Sequence, residues 1–479
     1  MSAGTLSGLQ QAVPPHALLE APGRRGPRDG VGELCQEFAA VCRSAVDPLE
    51  IAAALEFDGL NDQAVREKYG YADVFELAEE MHRRVPADPV EPPGAEDPWR
   101  LGLGRPALHG LIYSLPAMFF PAATGLLRGP GSITVLLVSM LVSWPISQGL
   151  AYLGYARLGR GDAAATKLTL RYGFLGTVAV AALAMAVTGL VVDARLTALA
   201  FGFGQGLYML SATVLMVLGA ERLLLLVLTP GFLAGAVFLL MGRPNGFAVP
   251  VAWALAVTPL CGLAMSMWVT RGIGKGAGKP FAVADLVAAL PSASFGLAAA
   301  ALIAFPVVPG WGAGRTGINT GALLAALPLS LSMGAAEWTL FWFRRRSWRL
   351  LRATGKLRAF GRRARLILLA ALGQYLIATA VLIAAVSAIA WAIGLAQPGG
   401  SAYPQIAAYL ALGGAMFLAL LLQTTGLRVV PPAACAVAFA LEFAGRDFGL
   451  RAQLAATVGL LLFFGAYALA VLGKPSRHT

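Results

Sequence analysis

The chain has 479 residues, of which 57% are hydrophobic and only 13% are charged, and its mean hydropathy is +0.69. A soluble protein of this length carries about twice that charged fraction, so a soluble globular chain is excluded. The formal net charge of +12 must therefore be assigned by position along the chain before it indicates any partner.

The first 107 residues are organised differently from the rest of the sequence. Residues 1–30 are rich in Pro, Gly and Arg, which predicts disorder. They contain no apolar core preceded by basic residues, so we expect no cleavable signal peptide. Residues 31–86 have the pattern of a small helical module, and the Pro-rich residues 87–107 predict a linker.

The module is acidic, and its helix starts are marked by capping residues. Asp47, Asn61 and Asp73 each precede a helical pattern, as N-cap residues do. Residues 31–86 hold 12 Asp or Glu against 5 Lys or Arg, a charge that opposes DNA binding. The module is expected to dock to a cytosolic protein or to the basic residues 344–365, and the plain alternative is a solvated cap without a partner.

Twelve apolar runs follow, each close to the roughly 20 residues that cross a bilayer. They lie at residues 108–127, 132–155, 171–192, 196–219, 222–241, 246–269, 285–306, 322–343, 364–395, 403–423, 429–445 and 449–473. The sequence thus predicts an all-α polytopic membrane protein with about 12 transmembrane helices in two parallel six-helix lobes, plus the N-terminal module. The predicted boundaries are lobe 1 at 108–269, a cytosolic linker at 270–284, lobe 2 at 285–473 and a cytosolic tail at 474–479.

The distribution of basic residues predicts the orientation. With the module in the cytosol, 21 Lys or Arg fall in loops and the tail on that side and 6 on the other side. This asymmetry is what the positive-inside rule requires of a bacterial inner-membrane protein with both termini in the cytosol.

Residues 341–365 (FWFRRRSWRLLRATGKLRAFGRRAR) carry ten Lys or Arg and no acid. They are predicted to form a cytosolic interfacial helix with Trp342, Trp348 and Phe360 at headgroup depth. No nucleic-acid contact is expected, because a basic cytosolic loop needs no such partner. The arginines predicted to contact anionic lipid are Arg344, Arg345, Arg346, Arg349 and Arg352.

A weak internal repeat supports the two-lobe arrangement. LIYSLPAMFF at 111–120 and LVAALPSASF at 286–295 share Leu, Leu-Pro and Phe at equal spacing, six spans apart. An even offset gives both lobes the same orientation, related by an axis along the membrane normal. Prolines inside spans remove helical hydrogen bonds, so kinks are predicted at Pro116, Pro145, Pro291 and Pro328.

Polar residues inside the spans are the candidate functional residues. Glu337 and Glu442 lie in apolar runs and are candidates for proton coupling, although nearby arginines (those from Arg344, and Arg446) could pair with them instead. The predicted substrate-cavity residues are Tyr113, Ser114, Trp144, Gln148, Gln205, Ser292, Ser294, Glu337 and Gln374. The alternative is that these side chains merely join helices.

Several enzyme and cofactor classes find no support in the sequence. There is no GxxxxGK[ST] motif, and neither the four histidines nor the four cysteines have metal-ligand spacing. The longest loop on the predicted outer side has about 15 residues, which leaves little room for an extracytoplasmic catalytic domain. We therefore expect that this chain is not an enzyme and that it binds no cofactor and no metal ion.

One segment of the sequence, residues 148–171, reads QGLAYLGYARLGRGDAAATKLTLR. In it, a second span that contains Gln and Gly runs into a short basic loop and then a third span. This segment resembles the polysaccharide-flippase branch of the multidrug/oligosaccharidyl-lipid/polysaccharide (MOP) exporter superfamily. Residues 46–86 resemble an N-terminal extension of actinobacterial membrane proteins. The resemblance implies a transporter that flips a lipid-linked glycan or related amphiphile to the outer leaflet by alternating access. It also implies a central cavity lined by Tyr113, Ser114, Trp144, Gln148, Ser292 and Glu337.

This sequence departs from the flippase pattern in one respect. The centres of the first, second, seventh and eighth spans contain no Lys or Arg that could meet a pyrophosphate. A proton-coupled small-molecule exporter, either an antiporter or a major-facilitator-like protein, therefore stays open as an alternative. A membrane scaffold without transport activity is the third possibility.

Overall fold

A computed structural model describes residues 27–45, 47–85, 104–127, 129, 131–242, 244–272, 281–308, 326, 328–353, 357–392 and 403–472. The chain divides into two compact units, residues 1–96 and 97–479, which are described separately below. The predictions for residues 1–26, for most of the linker and for the C-terminal tail fall outside the described ranges.

The first unit is built from five short helices: α1 Pro27–Glu37, α2 Ala39–Ser44, α3 Pro48–Phe57, α4 Asp62–Tyr69 and α5 Val74–Arg84. The three predicted caps are confirmed. Asp47 accepts from the Leu49 N–H, Asn61 from the Ala64 N–H and Asp73 from the Glu76 N–H.

One apolar core holds these helices together. Ile51, Leu55, Val65, Leu77 and Met81 are fully buried in it. The core explains why so acidic a segment folds: the carboxylates stay at the surface while the apolar faces of α3, α4 and α5 meet.

Cys35 and Cys42 lie in this core as free thiols, and burial raises the pKa of both. Because the thiolate is the reactive form, we expect neither cysteine to react with maleimide in the native protein at neutral pH. Mass spectrometry of labelled protein, with and without denaturant, measures this, and Ala53→Cys at an exposed position of α3 is the reactive control. Rapid native labelling of Cys42 would show that the described core opens.

The second unit is all-helical. Its helices are α6 Gly104–Ser114, α7 Phe119–Ala122, α8 Ser132–Leu158, α9 Ala163–Val191, α10 Leu196–Val217, α11 Glu221–Leu240, α12 Ala248–Val269, α13 Val283–Ala304, α14 Met333–Ala353, α15 Leu357–Ala392, α16 Tyr403–Thr424, α17 Val430–Ala444 and α18 Leu450–Val471. Within the described residues, nine helices are long and apolar enough to cross a membrane. The protein is therefore a multi-pass helical membrane protein, and nine of the twelve predicted spans coincide with these helices.

The other three predicted spans differ from single long helices. In 108–127, α6 gives way to 3₁₀ turns at Leu115–Met118 and Ala123–Gly125 on either side of α7. Pro116 and Pro121 cause the interruption, because neither can donate the helical hydrogen bond. α17 has 15 residues, about 22 Å, which is short for a core of about 30 Å.

The eighth predicted span, 322–343, is described only in part. The chain turns at Ser332, four residues after Pro328, and α14 begins at Met333. The number of twelve spans therefore stays a prediction.

The basic stretch forms the ends of two long helices, which corrects the prediction of a separate interfacial helix. α14 continues to Ala353 and α15 starts at Leu357. Phe343 and Ser347, four residues apart on one face of α14, are both buried, so this face of the helix packs against protein. Phe360 is also buried, so its ring packs against protein, and its predicted depth at the headgroups stays a prediction.

The buried apolar side chains of the second unit form several clusters. One cluster of buried side chains draws only on residues 295–472, and three others lie within 108–269. A small cluster joins the halves, where Leu137 of α8 meets Ala304 and Val308 at the end of α13. Lobe 1 and lobe 2 are used below for these two halves.

Candidate functional site

Helix ends at one side of the bundle carry most of its charged groups. Consecutive helices run in opposite directions, so the connections 159–162, 218–220, 270–282 and 425–429 fall at the same end. The adjoining ends of α14 and α15 lie there as well. We call this side the basic end and the opposite side the far end.

A buried polar contact joins the two lobes at the basic end. His109 of α6 has its Nδ1 2.6 Å from Oε1 of Glu337 on α14 and its Nε2 3.0 Å from Oε1 of Glu221 on α11. His109 and Glu221 belong to lobe 1 and Glu337 to lobe 2. The side chains are only 9%, 13% and 23% exposed, respectively.

The hydrogen-bond geometry limits the charges that this contact can carry. When both carboxylates are ionised they only accept hydrogen bonds, so both ring nitrogens of His109 then donate and the imidazole is positively charged. Hydrogen bonds between ionised partners are about twice as strong as neutral ones. The edge of Tyr113 covers the histidine ring at a centroid distance of 6.4 Å. In that state the three residues form one cation between two anions, shielded from solvent.

Two glycines bring the helices close enough for this contact. A Cβ at Gly334 of α14 would lie 2.4 Å from the Cα of Gly110, the neighbour of His109. No side chain fits at that distance, so the backbones of α6 and α14 touch here. Small residues of this kind let membrane helices approach closely.

Two further polar contacts join the lobes at the same end. Nη2 of Arg157 at the end of α8 lies 2.9 Å from Oδ2 of Asp285 at the start of α13. Arg428, in the connection before α17, donates to the Tyr152 hydroxyl at 2.6 Å and lies over its ring. Each pair has one member in each lobe, so all three contacts must break if the basic end opens.

The second and seventh predicted spans, α8 and α13, pack tightly along their middle. A Cβ at Gly296 would lie 3.0 Å from the Cα of Pro145 and 2.9 Å from the Cγ of Gln148. The structure therefore places Pro145 and Gln148 at the interface between the lobes. Pro145 and Pro291 lie inside continuous helices, whereas Pro116 occupies a 3₁₀ turn.

Lobe 1 contains a cavity of ≈ 330 Å³ between α10, α12 and the interrupted first span. Its wall is almost entirely apolar and includes Pro116, Phe120 and Leu255. Gln205 is a polar exception: within the described residues its buried Oε1 has no hydrogen-bond partner. The volume lies in the range of small-molecule pockets, and the unpaired oxygen can accept one hydrogen bond from a bound group.

Glu442, the second predicted coupling residue, is 2% exposed in lobe 2. Its Oε2 has no hydrogen-bond partner among the described residues. Arg446, the partner considered for it, stacks instead on the Phe443 ring at 5.1 Å. The structure therefore separates the two predicted carboxylates, with Glu337 in a charged contact between lobes and Glu442 within one lobe.

The other predicted cavity residues are dispersed. Trp144 and Ser292 are half-buried, and Gln374 is exposed. Ser294 is exposed and donates to the Pro291 carbonyl of its own helix. The side chain of Ser114 lies outside the described residues.

Sequence reasoning missed His109 and Glu221. The four histidines have no metal-ligand spacing, and Glu221 lies between apolar runs, so neither residue stands out by local pattern. A signal was available, since the predicted topology places His109, Glu221 and Glu337 near the cytosolic ends of spans 1, 5 and 8. Within the described residues, no group of three His, Cys, Asp or Glu side chains is arranged to hold a metal ion, since the carboxylates lie on opposite sides of the imidazole.

No family model and no curated protein matches the chain. Solved structures with a similar arrangement include a crystal structure of MATE in complex with Br-NRF, at 14% identity and a TM-score of 0.46, covering 76% of this chain and 93% of that one. Another is an inward-facing conformation of a multidrug resistance MATE family transporter of the MOP superfamily, at 14% identity and a TM-score of 0.43. That match covers 80% of this chain and 97% of the other.

Proposed function

We propose that this protein is a membrane transporter that moves an amphiphile across the bilayer by alternating access of two lobes. The observation that carries the proposal is the buried contact of His109 with Glu337 across the lobe boundary. Burying charges costs more than burying apolar groups of similar size, so a permanent junction gains little from them. A charged contact suits a junction that must separate and reform in one register. We assign no enzymatic reaction to the chain.

The cavity in lobe 1 supports the choice of an amphiphile. Its apolar wall fits an acyl, prenyl or aromatic group, and Gln205 Oε1 accepts one N–H or O–H. Leu260, at the cavity wall, is 56% exposed at the surface of a membrane helix. A substrate dissolved in the membrane therefore has a lateral approach to the cavity. A lipid-linked glycan is one amphiphile of this class. Its lipid would lie in the apolar cavity of the protein, and its saccharide would stay in water.

A deletion strain tests the substrate class. We expect its lipid extract to accumulate a lipid-linked saccharide and its surface to lose a glycan, with both restored by the intact gene. An unchanged lipid and glycan profile would contradict the flippase assignment. The Glu337→Gln variant, expressed at the level of the intact protein in the same strain, is expected to restore less of the surface glycan than the intact gene does.

The second candidate is a proton-coupled exporter of small amphiphiles. It is favoured by the cluster of His109, Glu221 and Glu337, because histidine is the side chain whose charge ordinarily changes near neutral pH and here it joins carboxylates of both lobes. Membrane vesicles separate the candidates: an exporter takes up a fluorescent amphiphilic cation when a pH gradient is imposed. A scaffold shows neither this uptake nor the lipid phenotype, and it tolerates Glu337→Gln.

The cavity gives a further prediction. Ala256→Phe places a ring in the cavity and is expected to lower transport about tenfold or more, because the substrate loses the space that holds it. Gln205→Leu leaves the cavity volume nearly unchanged and should lower the transport only of substrates that carry a hydrogen-bond donor. Val257→Phe, on the adjacent exposed position of α12 outside the cavity wall, is the matched control. Equal loss in Ala256→Phe and Val257→Phe would contradict a role for the cavity.

A further inference from the structure

The joined ends of α14 and α15 form an arginine surface that is separate from the lobe contact and the cavity. On α14, Arg346, Arg349 and Arg352 are exposed while Phe343 and Ser347 are buried. A spacing of three residues keeps these arginines on one side of the helix. The first turns of α15 repeat the arrangement, with Arg362, Arg363 and Arg365 exposed and Phe360 and Ala364 buried.

The height of this surface relative to the membrane follows from helix length. α15 has 36 residues, about 54 Å, whereas the hydrocarbon core is about 30 Å thick. After Arg365 the helix carries no charged residue, and its remaining residues, 366–392, are about 40 Å long, which is enough to cross the hydrocarbon without the arginines. The arginines at its start therefore lie beyond the hydrocarbon, at the level of lipid phosphates.

Tryptophan rings hold two of the arginines in place. The guanidinium of Arg352 lies 4.1 Å from the Trp348 ring centroid, and that of Arg346 lies 5.7 Å from Trp342. Tryptophan concentrates at the membrane–water interface, and stacking leaves the guanidinium edge free to donate. A guanidinium edge of this kind binds phosphate oxygens bidentately.

The charge of the surface is not balanced by neighbouring sequence. Between Trp338 and Leu441 the chain contains no Asp or Glu. We infer that the exposed residues Arg346, Arg352, Arg362 and Arg363 bind the phosphate headgroups of anionic phospholipids, such as phosphatidylglycerol. The inference is independent of the proposed transport, since it concerns the bilayer around the protein.

Native mass spectrometry of the full chain tests this inference, with dioleoyl-phosphatidylglycerol and dioleoyl-phosphatidylcholine as competing probes. The test variant replaces Arg346, Arg352, Arg362 and Arg363 with Gln. Each surface charge contributes measurably to anionic lipid binding, so we expect the variant to lose about tenfold or more of its preference for phosphatidylglycerol. The same four positions changed to Lys keep the charge and are expected to keep most of the preference.

Two controls fix the interpretation. The first control combines Arg446→Gln with Arg451→Gln. It removes two exposed arginines at the far end, of which Arg446 is also stacked on an aromatic ring. The preference for phosphatidylglycerol should be unchanged in this variant. Inorganic phosphate in excess should not displace the lipid. Equal retention of both lipids by the intact chain would overturn the inference, and it is the result expected if another acidic partner covers the arginines. Displacement by phosphate would overturn it in favour of a free-anion site.

Discussion

Removing either side of the His109–Glu337 contact should open the basic end. A hydrogen bond between charged groups stabilises a structure by about 1.5–3 kcal/mol, which corresponds to roughly a ten- to hundredfold change in the ratio of open to closed forms. His109→Ala is expected to have the larger effect, because it removes the group that joins Glu221 to Glu337 and so breaks both hydrogen bonds at once. Glu337→Gln removes one charge and leaves His109 bound to Glu221.

Spin labels can measure the opening. Cysteines introduced at Arg160 in lobe 1 and Thr424 in lobe 2 are exposed at the basic end, and Cys261→Ala removes the exposed native thiol. The intact contact should give one narrow distance distribution, and each variant should add a longer distance. The double variant should open less than the sum of the single variants, because both remove the same contact.

The control for this experiment is Asp447→Asn, which removes an exposed carboxylate at the far end and should change no distance. If Glu337→Gln leaves the distances unchanged but abolishes transport, Glu337 does not hold the lobes together. It would then act in binding the substrate or in transferring a proton. Unchanged distances with unchanged transport would leave a static junction, as the scaffold hypothesis expects.

The sequence predicts the long helices well and the interrupted ones poorly. Nine apolar runs become single helices because nothing within them outweighs the requirement to satisfy backbone groups in lipid. In the first span, Pro116 and Pro121 lie five residues apart, and together they convert a predicted kink into two 3₁₀ turns. Proline identifies where a helix is weakened, but the conformation adopted there depends on neighbours that a single sequence does not reveal.

The candidate site is harder to predict because it is assembled across 228 positions of sequence. Glu337 stands out as a carboxylate in an apolar run, and the arginines from Arg344 onward are the nearest basic residues in sequence. Local charge suggests such a pairing, but α14 directs Glu337 toward α6, where Gly334 and Gly110 allow the backbones to touch. The partner is thus selected by the approach of two helices, and no local pattern encodes that approach.

Gly334→Ala is expected to disrupt the same junction through packing rather than charge. The added methyl group would lie 2.4 Å from the Cα of Gly110, where only backbone movement can relieve the overlap. Overpacking of this kind costs about 1–3 kcal/mol, and relief by separating α6 from α14 lengthens the hydrogen bond of His109 to Glu337. The variant should therefore favour the open basic end in the spin-label measurement even though every charged residue is retained.

Gly373→Ala is the matched control for this substitution. Gly373 lies in α15, and a Cβ there meets no atom within 4 Å. Exchange of Gly for Ala inside a helix gains up to about 1 kcal/mol, so this variant should be as stable as the parent or slightly more stable. If Gly334→Ala keeps the narrow distance of the parent, α6 and α14 do not touch at these glycines in the membrane. If it opens the basic end as Glu337→Gln does, close backbone packing and the charged contact act as one junction, which must come apart whenever the lobes separate.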